Sequence, residues 1–112
     1  MPVSYFVRYE GEAESPEAFR AHYRDRHVPI LARLPGIRSI VLHTPVGWRD
    51  PYLVRPDRFM LIAQMVFDTQ AALERALGSA ARAAAGADFA QFPPFHGTVY
   101  HQAAVSEEVL GQ

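Results

Sequence analysis

Pro45, Pro51 and Pro56 fall within the thirteen residues Pro45–Asp57, together with Gly47, Trp48 and Tyr52. A segment so dense in proline cannot form a central strand, because proline brings no N–H to a ladder. It reads as a loop, and it joins strand to strand. Ile37–Val46 is dense in Ile, Val and Leu, and Phe59–Phe67 is apolar almost throughout, as expected of a strand buried on both faces. Val3–Tyr9, rich in aromatic and β-branched residues, and Phe95–Val105 read as the first and last strands.

The helices fall between the outer pairs. Ser15-Pro16-Glu17 starts one with a capping hydroxyl, a proline at the first helical position and an acid in the first turn. Pro35-Gly36 stops it, and Glu10–Glu14 before it is a polar loop. Asp68-Thr69 caps a second helix whose Ala72, Leu73, Ala76 and Leu77 line its inner face. Gly78-Ser79 breaks that helix, and an alanine-rich piece restarts through about Ala85. Phe89, Phe92 and Phe95, with Pro93-Pro94, form an irregular aromatic connection to the last strand. The order β-α-β-β-α-β is the ferredoxin-like, split βαβ pattern of the α+β class. It predicts a four-stranded antiparallel sheet with two helices on one face. The 112 residues are expected to form one domain, 1–112, with a flexible tail at 106–112.

Helices on one face leave the other uncovered, and these strands are too apolar for that face to meet water. A two-fold dimer packed sheet to sheet is the simplest cover, so a homodimer is expected. The 45–57 loop is long enough to be functional or to pack on a neighbour, and Trp48 and Tyr52 are expected to pack on the partner subunit.

Composition removes several function classes. Net charge is −1, which gives no pull toward nucleic acid or an anionic membrane. RNA-binding modules of this fold need aromatics embedded in a basic strand, and no such run occurs. There is no cysteine, which excludes disulfides, thiolate nucleophiles and thiolate metal sites. No basic leader precedes an apolar run, and no apolar run approaches the ~20 residues of a membrane span. A cytoplasmic protein is expected, without partners beyond a second copy and a small hydrophobic molecule.

The first helix carries the main candidate. Phe19, Tyr23, His27, Ile30 and Leu34 recur at spacings of three and four and share one face. Pro29 is expected to break the helix just after His27 and to bias Val28 away from helical angles. An imidazole on that face can act as acid, base or donor near pH 7. It can also be a core histidine bonded to a carbonyl freed by Pro29. His22 and His27, five residues apart, stand about 140° apart on a regular helix. They are therefore not expected to share a face. No metal-ligand spacing appears among the five histidines, and neither a metal nor a cofactor is expected.

Further pocket candidates are polar groups inside apolar strands: Arg8, His43 and Gln64, with Tyr23 on the helix and Tyr100 on the last strand. Each buried polar group needs a partner, across the sheet or in a cavity, and Arg8 needs a carboxylate or an anionic ligand. Alternation puts Phe6 and Arg8 on one face and Tyr5, Val7 and Tyr9 on the other, without deciding which lines a pocket. His96 and His101 lie on opposite faces, so at most one can line it. Arg20, Arg24 and Arg26 read as a solvated helix face.

Tyr5-Phe6-Val7-Arg8-Tyr9, Pro16-Glu17-Ala18-Phe19, Tyr23-Arg24-Asp25-Arg26-His27-Val28-Pro29-Ile30 and Leu34-Pro35-Gly36-Ile37-Arg38, with Asp88-Phe89 near the end, resemble the EthD family. That family is named for a protein associated with ethyl tert-butyl ether degradation. The resemblance implies a dimeric α+β barrel with a pocket in each subunit. Its relatives include methylmuconolactone isomerases, which combine a histidine with a cysteine and a tyrosine; this chain lacks the cysteine. Others of similar fold are cofactor-independent monooxygenases and haem-associated enzymes. The resemblance implies a role with a small hydrophobic, aromatic or ether compound, as a cofactor-independent isomerase or oxygenase with His27 as acid or base. A non-catalytic carrier, or an accessory subunit of an oxygenase system, is the other expectation.

Overall fold

The computed structural model describes residues 1–111. Its elements are β1 (Val3–Ala13), α1 (Pro16–His22), a π-helical turn (Tyr23–His27), α2 (Val28–Leu31), β2 (Ile37–His43), β3 (Phe59–Phe67), α3 (Gln70–Leu77), α4 (Ala80–Phe89) and β4 (Phe95–Val105). The strands form one antiparallel sheet in the order β2-β3-β1-β4, which is the α+β ferredoxin-like arrangement expected. Among the described residues no helix is long and apolar enough to cross a membrane.

Residue alternation decides which face is roofed. Val3, Val7 and Tyr9 of β1 and Leu61, Ala63, Met65 and Phe67 of β3 are buried, and they form the core with Phe19, Tyr23, Leu31, Leu34, Leu73 and Ala76 of the helical layer. The other face carries Phe6, Arg8, Ile62, Gln64 and Val66, all only half-buried, so β3 is covered on one face rather than both.

β1 runs past the expected polar loop. Glu10–Ala13 stays extended by pairing with Phe95–Thr98 of β4. That pairing depends on two facing glycines. A Cβ on Gly11 would overlap the His96 carbonyl oxygen, and one on Gly97 would overlap that of Glu10. Gly11 also has φ +141°, a conformation that glycine alone adopts easily.

The first helix does not break at Pro29. Val28 keeps helical angles (φ −57°, ψ −42°), and its N–H reaches back five residues to the Tyr23 carbonyl. The chain accommodates the proline upstream, by widening the turn where an α-helix would crowd the ring against the residue-25 carbonyl. The extra residue shifts the buried stripe: Leu31 is buried and Ile30 only half-buried, so the stripe is Phe19, Tyr23, His27, Leu31, Leu34. Steps of four drift by about 40° each on a regular helix, and the wide turn takes up that drift.

The Gly78-Ser79 break is present, with the Ser79 hydroxyl accepting from the Arg82 N–H at 3.3 Å. The helix it starts, α4, continues to Phe89 rather than Ala85. The tail is tied at its first residue: the Ser106 N–H donates to the Pro2 carbonyl (2.9 Å), and its hydroxyl meets that of Ser4 (2.6 Å). Gln112, the last residue of that tail, lies outside the described residues. β2 ends at His43, and the 45–57 loop is exposed throughout, held locally by Asp50, which accepts from the Trp48 indole (3.2 Å) and the Tyr52 N–H (3.0 Å).

Candidate functional site

A cavity of about 370 Å³ lies between the sheet and the helices. Its floor is Tyr5, Val7 and Tyr9 of β1, Met65 and Phe67 of β3, and Val99 and His101 of β4. Its roof is Tyr23, His27, Leu31 and Leu34 on one side and Leu73, Leu77, Arg82, Ala85, Gly86 and Phe89 on the other. α4 presents two small residues to this space, Ala85 and Gly86, and a Cβ on Gly86 would meet nothing within 4 Å. The lining is mostly hydrocarbon with a few polar groups, the usual make-up of a small-molecule site.

His27 is buried on the cavity wall, 6% exposed, with its ring held between Tyr23 (centroids 4.7 Å apart) and Phe92 (4.9 Å). Its Nδ1 lies 2.9 Å from Asp88 Oδ2, and the Nε2 of His22 lies 3.2 Å from the same oxygen. An ionised carboxylate only accepts, so both ring nitrogens carry the proton. His27 Nε2 is then the basic lone pair, and among the described residues no hydrogen bond engages it. The His27 pKa lies below its usual value: burial, the largest cause, and the neighbouring His22 lower it against the raising effect of Asp88. Burial would raise the Asp88 carboxyl, but the bonds from His27 and His22 outweigh it and hold the group below the carboxylate range. At neutral pH the set is therefore a neutral His27, aimed by an anionic Asp88.

The sharing of Asp88 by both histidines corrects the 140° separation expected on a regular helix. Between His22 and Val28 the helix winds through the wide turn, and residues five apart return to one side. The Tyr23 and Tyr9 phenols, packed edge to face (5.8 Å), are both raised by burial and stay neutral at physiological pH.

Of the sequence-derived pocket residues, the structure brings Tyr23 and His27 to this cavity. Arg8, His43, Gln64 and Tyr100 lie on the opposite face, because their positions alternate with those on its floor. Their polar groups find partners there. Arg8 meets Glu10 and Asp57, each at 3.0 Å, and stacks on Tyr100 at 4.7 Å. His43 Nε2 donates to Gln64 Oε1 (3.0 Å), and the Gln64 amide donates to the Ser4 hydroxyl (3.2 Å). His101 lines the cavity and His96 does not. Arg24 and Arg26 are solvated as expected, whereas Arg20 is half-buried and donates to the Met60 carbonyl (3.2 Å). Sequence reasoning gave no role to Asp88 or Arg82. A signal existed: they are the only charges in Ala80–Phe89, an otherwise alanine-rich helix.

The chain is thus a small α+β protein of the ferredoxin-like class, with an apolar cavity and a carboxylate-bonded histidine between its sheet and its helices. The EthD domain matches residues 11–93, and the chain belongs to the EthD family. It is 30% identical over 77 residues, 69% of this chain and 71% of the other, to an uncharacterized 11.0 kDa protein in the thcB-thcC intergenic region of Rhodococcus erythropolis. Solved structures agree in fold. An EthD family protein from Bacillus halodurans superposes with TM-score 0.75 at 24% identity, covering 96% of this chain and 100% of that one. SnoaB, a cofactor-independent oxygenase from Streptomyces nogalater, gives 0.64 at 18% identity (99% and 98% covered). A dimeric ferredoxin-like protein of unknown function from Thermobifida fusca gives 0.65 at 8% identity (95% and 92%).

Proposed function

We propose that the protein takes a small hydrophobic, aromatic molecule into the helix–sheet cavity and removes a proton from it, with His27 as general base. The observation that carries this reading is the Asp88–His27 pair at the cavity wall, which leaves Nε2 as the basic atom. Nε2 takes the proton of an acidic C–H or O–H, the bonding pair stays on the substrate, and Asp88 stabilises the imidazolium formed. An isomerase returns the proton elsewhere on the substrate. A cofactor-independent oxygenase lets the substrate carbanion reduce molecular oxygen, and the likeness in fold to SnoaB is in keeping with that outcome. An ether offers such a base no acidic proton, so the reading favours an enolisable or phenolic compound.

Proton abstraction can be followed with 2-tetralone in D2O, as deuterium entering its acidic C–H position by NMR. Protonated His27 cannot accept, so the rate is expected to be flat above pH 6.5 and to fall as pH drops through the depressed His27 pKa. Exchange no faster than in buffer, or a midpoint above 6.5, overturns the assignment.

The working form is proposed to be a homodimer, a second copy covering the open sheet face and the 45–57 loop packing on it. Phe6, Ile62 and Val66 on that face, and Trp48 and Tyr52 at 57% and 78% exposure, support this. Sedimentation equilibrium at micromolar concentration is expected to return twice the chain mass; a 12.5 kDa species refutes the dimer.

A further inference from the structure

The cavity has a second polar group of residues, away from Asp88. Arg82 lies six residues before Asp88 on α4, about 9 Å along the helix axis. With it on the lining are His101 and Tyr5, whose hydroxyl and Nδ1 are 2.8 Å apart. Arg82 makes one side-chain bond, from Nη1 to the Leu77 carbonyl at 3.3 Å. Among the described residues no carboxylate pairs with it, whereas on the surface Arg8 has two and Arg38 one. No Asp or Glu lines the cavity, so Arg82 is its uncompensated charge. A guanidinium at an apolar wall calls for an anion, and its planar fork suits a carboxylate. The Tyr5–His101 pair adds to this. His101 is exposed at the cavity's edge, and the partial loss of water around its ring, with the Arg82 charge second, lowers its pKa and keeps it neutral. A hydroxyl and a neutral imidazole hold two protons between them and use one on each other. One donor is left over.

We propose that Arg82, His101 and Tyr5 form an anion-binding pole that receives the carboxylate of an aromatic acid, while the far end of that molecule lies at His27. This names the substrate class for the reading above and rests on it. Arg82 and the Asp88 that holds His27 stand six residues apart on α4, so the two poles lie at different points along that helix.

The test compares 2-naphthoate with its neutral isostere 2-naphthamide by titration calorimetry on the full chain at pH 7.5. The naphthoate is expected to bind at least tenfold more tightly. Arg82→Gln is expected to abolish that preference by weakening naphthoate far more than naphthamide, and Arg82→Lys to keep part of it. Equal affinity for the two ligands overturns the pole while leaving the cavity as a hydrophobic site. Binding of neither overturns the pole and the cavity reading together. A preference that survives Arg82→Gln overturns the assignment to Arg82. The wild-type comparison needs no variant, so it decides the proposal even if Arg82→Gln fails to fold.

Discussion

Replacing His27 with alanine is expected to slow 2-tetralone exchange by about 10²–10⁴-fold, the usual contribution of a positioned general base. The same change removes a ring packed between Tyr23 and Phe92 and takes one donor from Asp88. Asp88 keeps His22, so its charge stays bonded and the fold is expected to survive. Circular dichroism melting must therefore accompany the kinetics. A folded variant with unchanged exchange shows that His27 is not the base. A variant that no longer folds assigns His27 to the core instead.

The largest expected loss of stability comes from Phe19→Ala. Phe19 is 0% exposed and meets Tyr9 (5.3 Å), Phe92 (5.2 Å) and Phe95 (5.5 Å), so it ties α1 to β1 and to the segment before β4. Truncating a buried phenylalanine costs about 3–5 kcal/mol, because the neighbours cannot close over the space. Against a total of roughly 5–15 kcal/mol, that is a large share. A fall in Tm on the order of 15 °C follows for a domain of this size. A shift of only a degree or two would show that the aromatic cluster repacks and does not anchor α1.

Most of the architecture was legible because its punctuation is local. Ser15-Pro16, Asp68-Thr69 and Gly78-Ser79 act within one turn of chain, and each lies where a helix starts or breaks. The extension of β1 through Glu10–Ala13 was not legible, because it depends on Gly11 meeting Gly97, far away in sequence. The site divides in the same way. Tyr23 and His27 could be placed together from helical spacing alone. Asp88 could not be joined to them, since the contact spans 61 positions and is made only when α4 docks. Arg8, His43, Gln64 and Tyr100 show the limit of strand alternation. It sorts residues into two faces and says nothing about which face the helices will cover. The separation expected for His22 and His27 was sound arithmetic for a regular helix, but the chain does not form one there.

That wide turn is an inserted residue that the helix absorbs without turning its faces. The segment from Tyr23 to His27 carries one residue more than an α-helix needs, and Arg24, Asp25 and Arg26 within it are exposed and make no part of the core. Deleting any one of the three would remove no buried contact and would let the helix close regularly. The two histidines would then stand four residues apart, about 40° round a regular helix, so both would still face Asp88. The proline is less tolerant, because its ring would be pressed on the carbonyl four residues before it in a closed α-helical turn, at a cost on the order of 3 kcal/mol. The added residue therefore lets Pro29 sit inside a continuous helix while the faces on either side of it keep their direction.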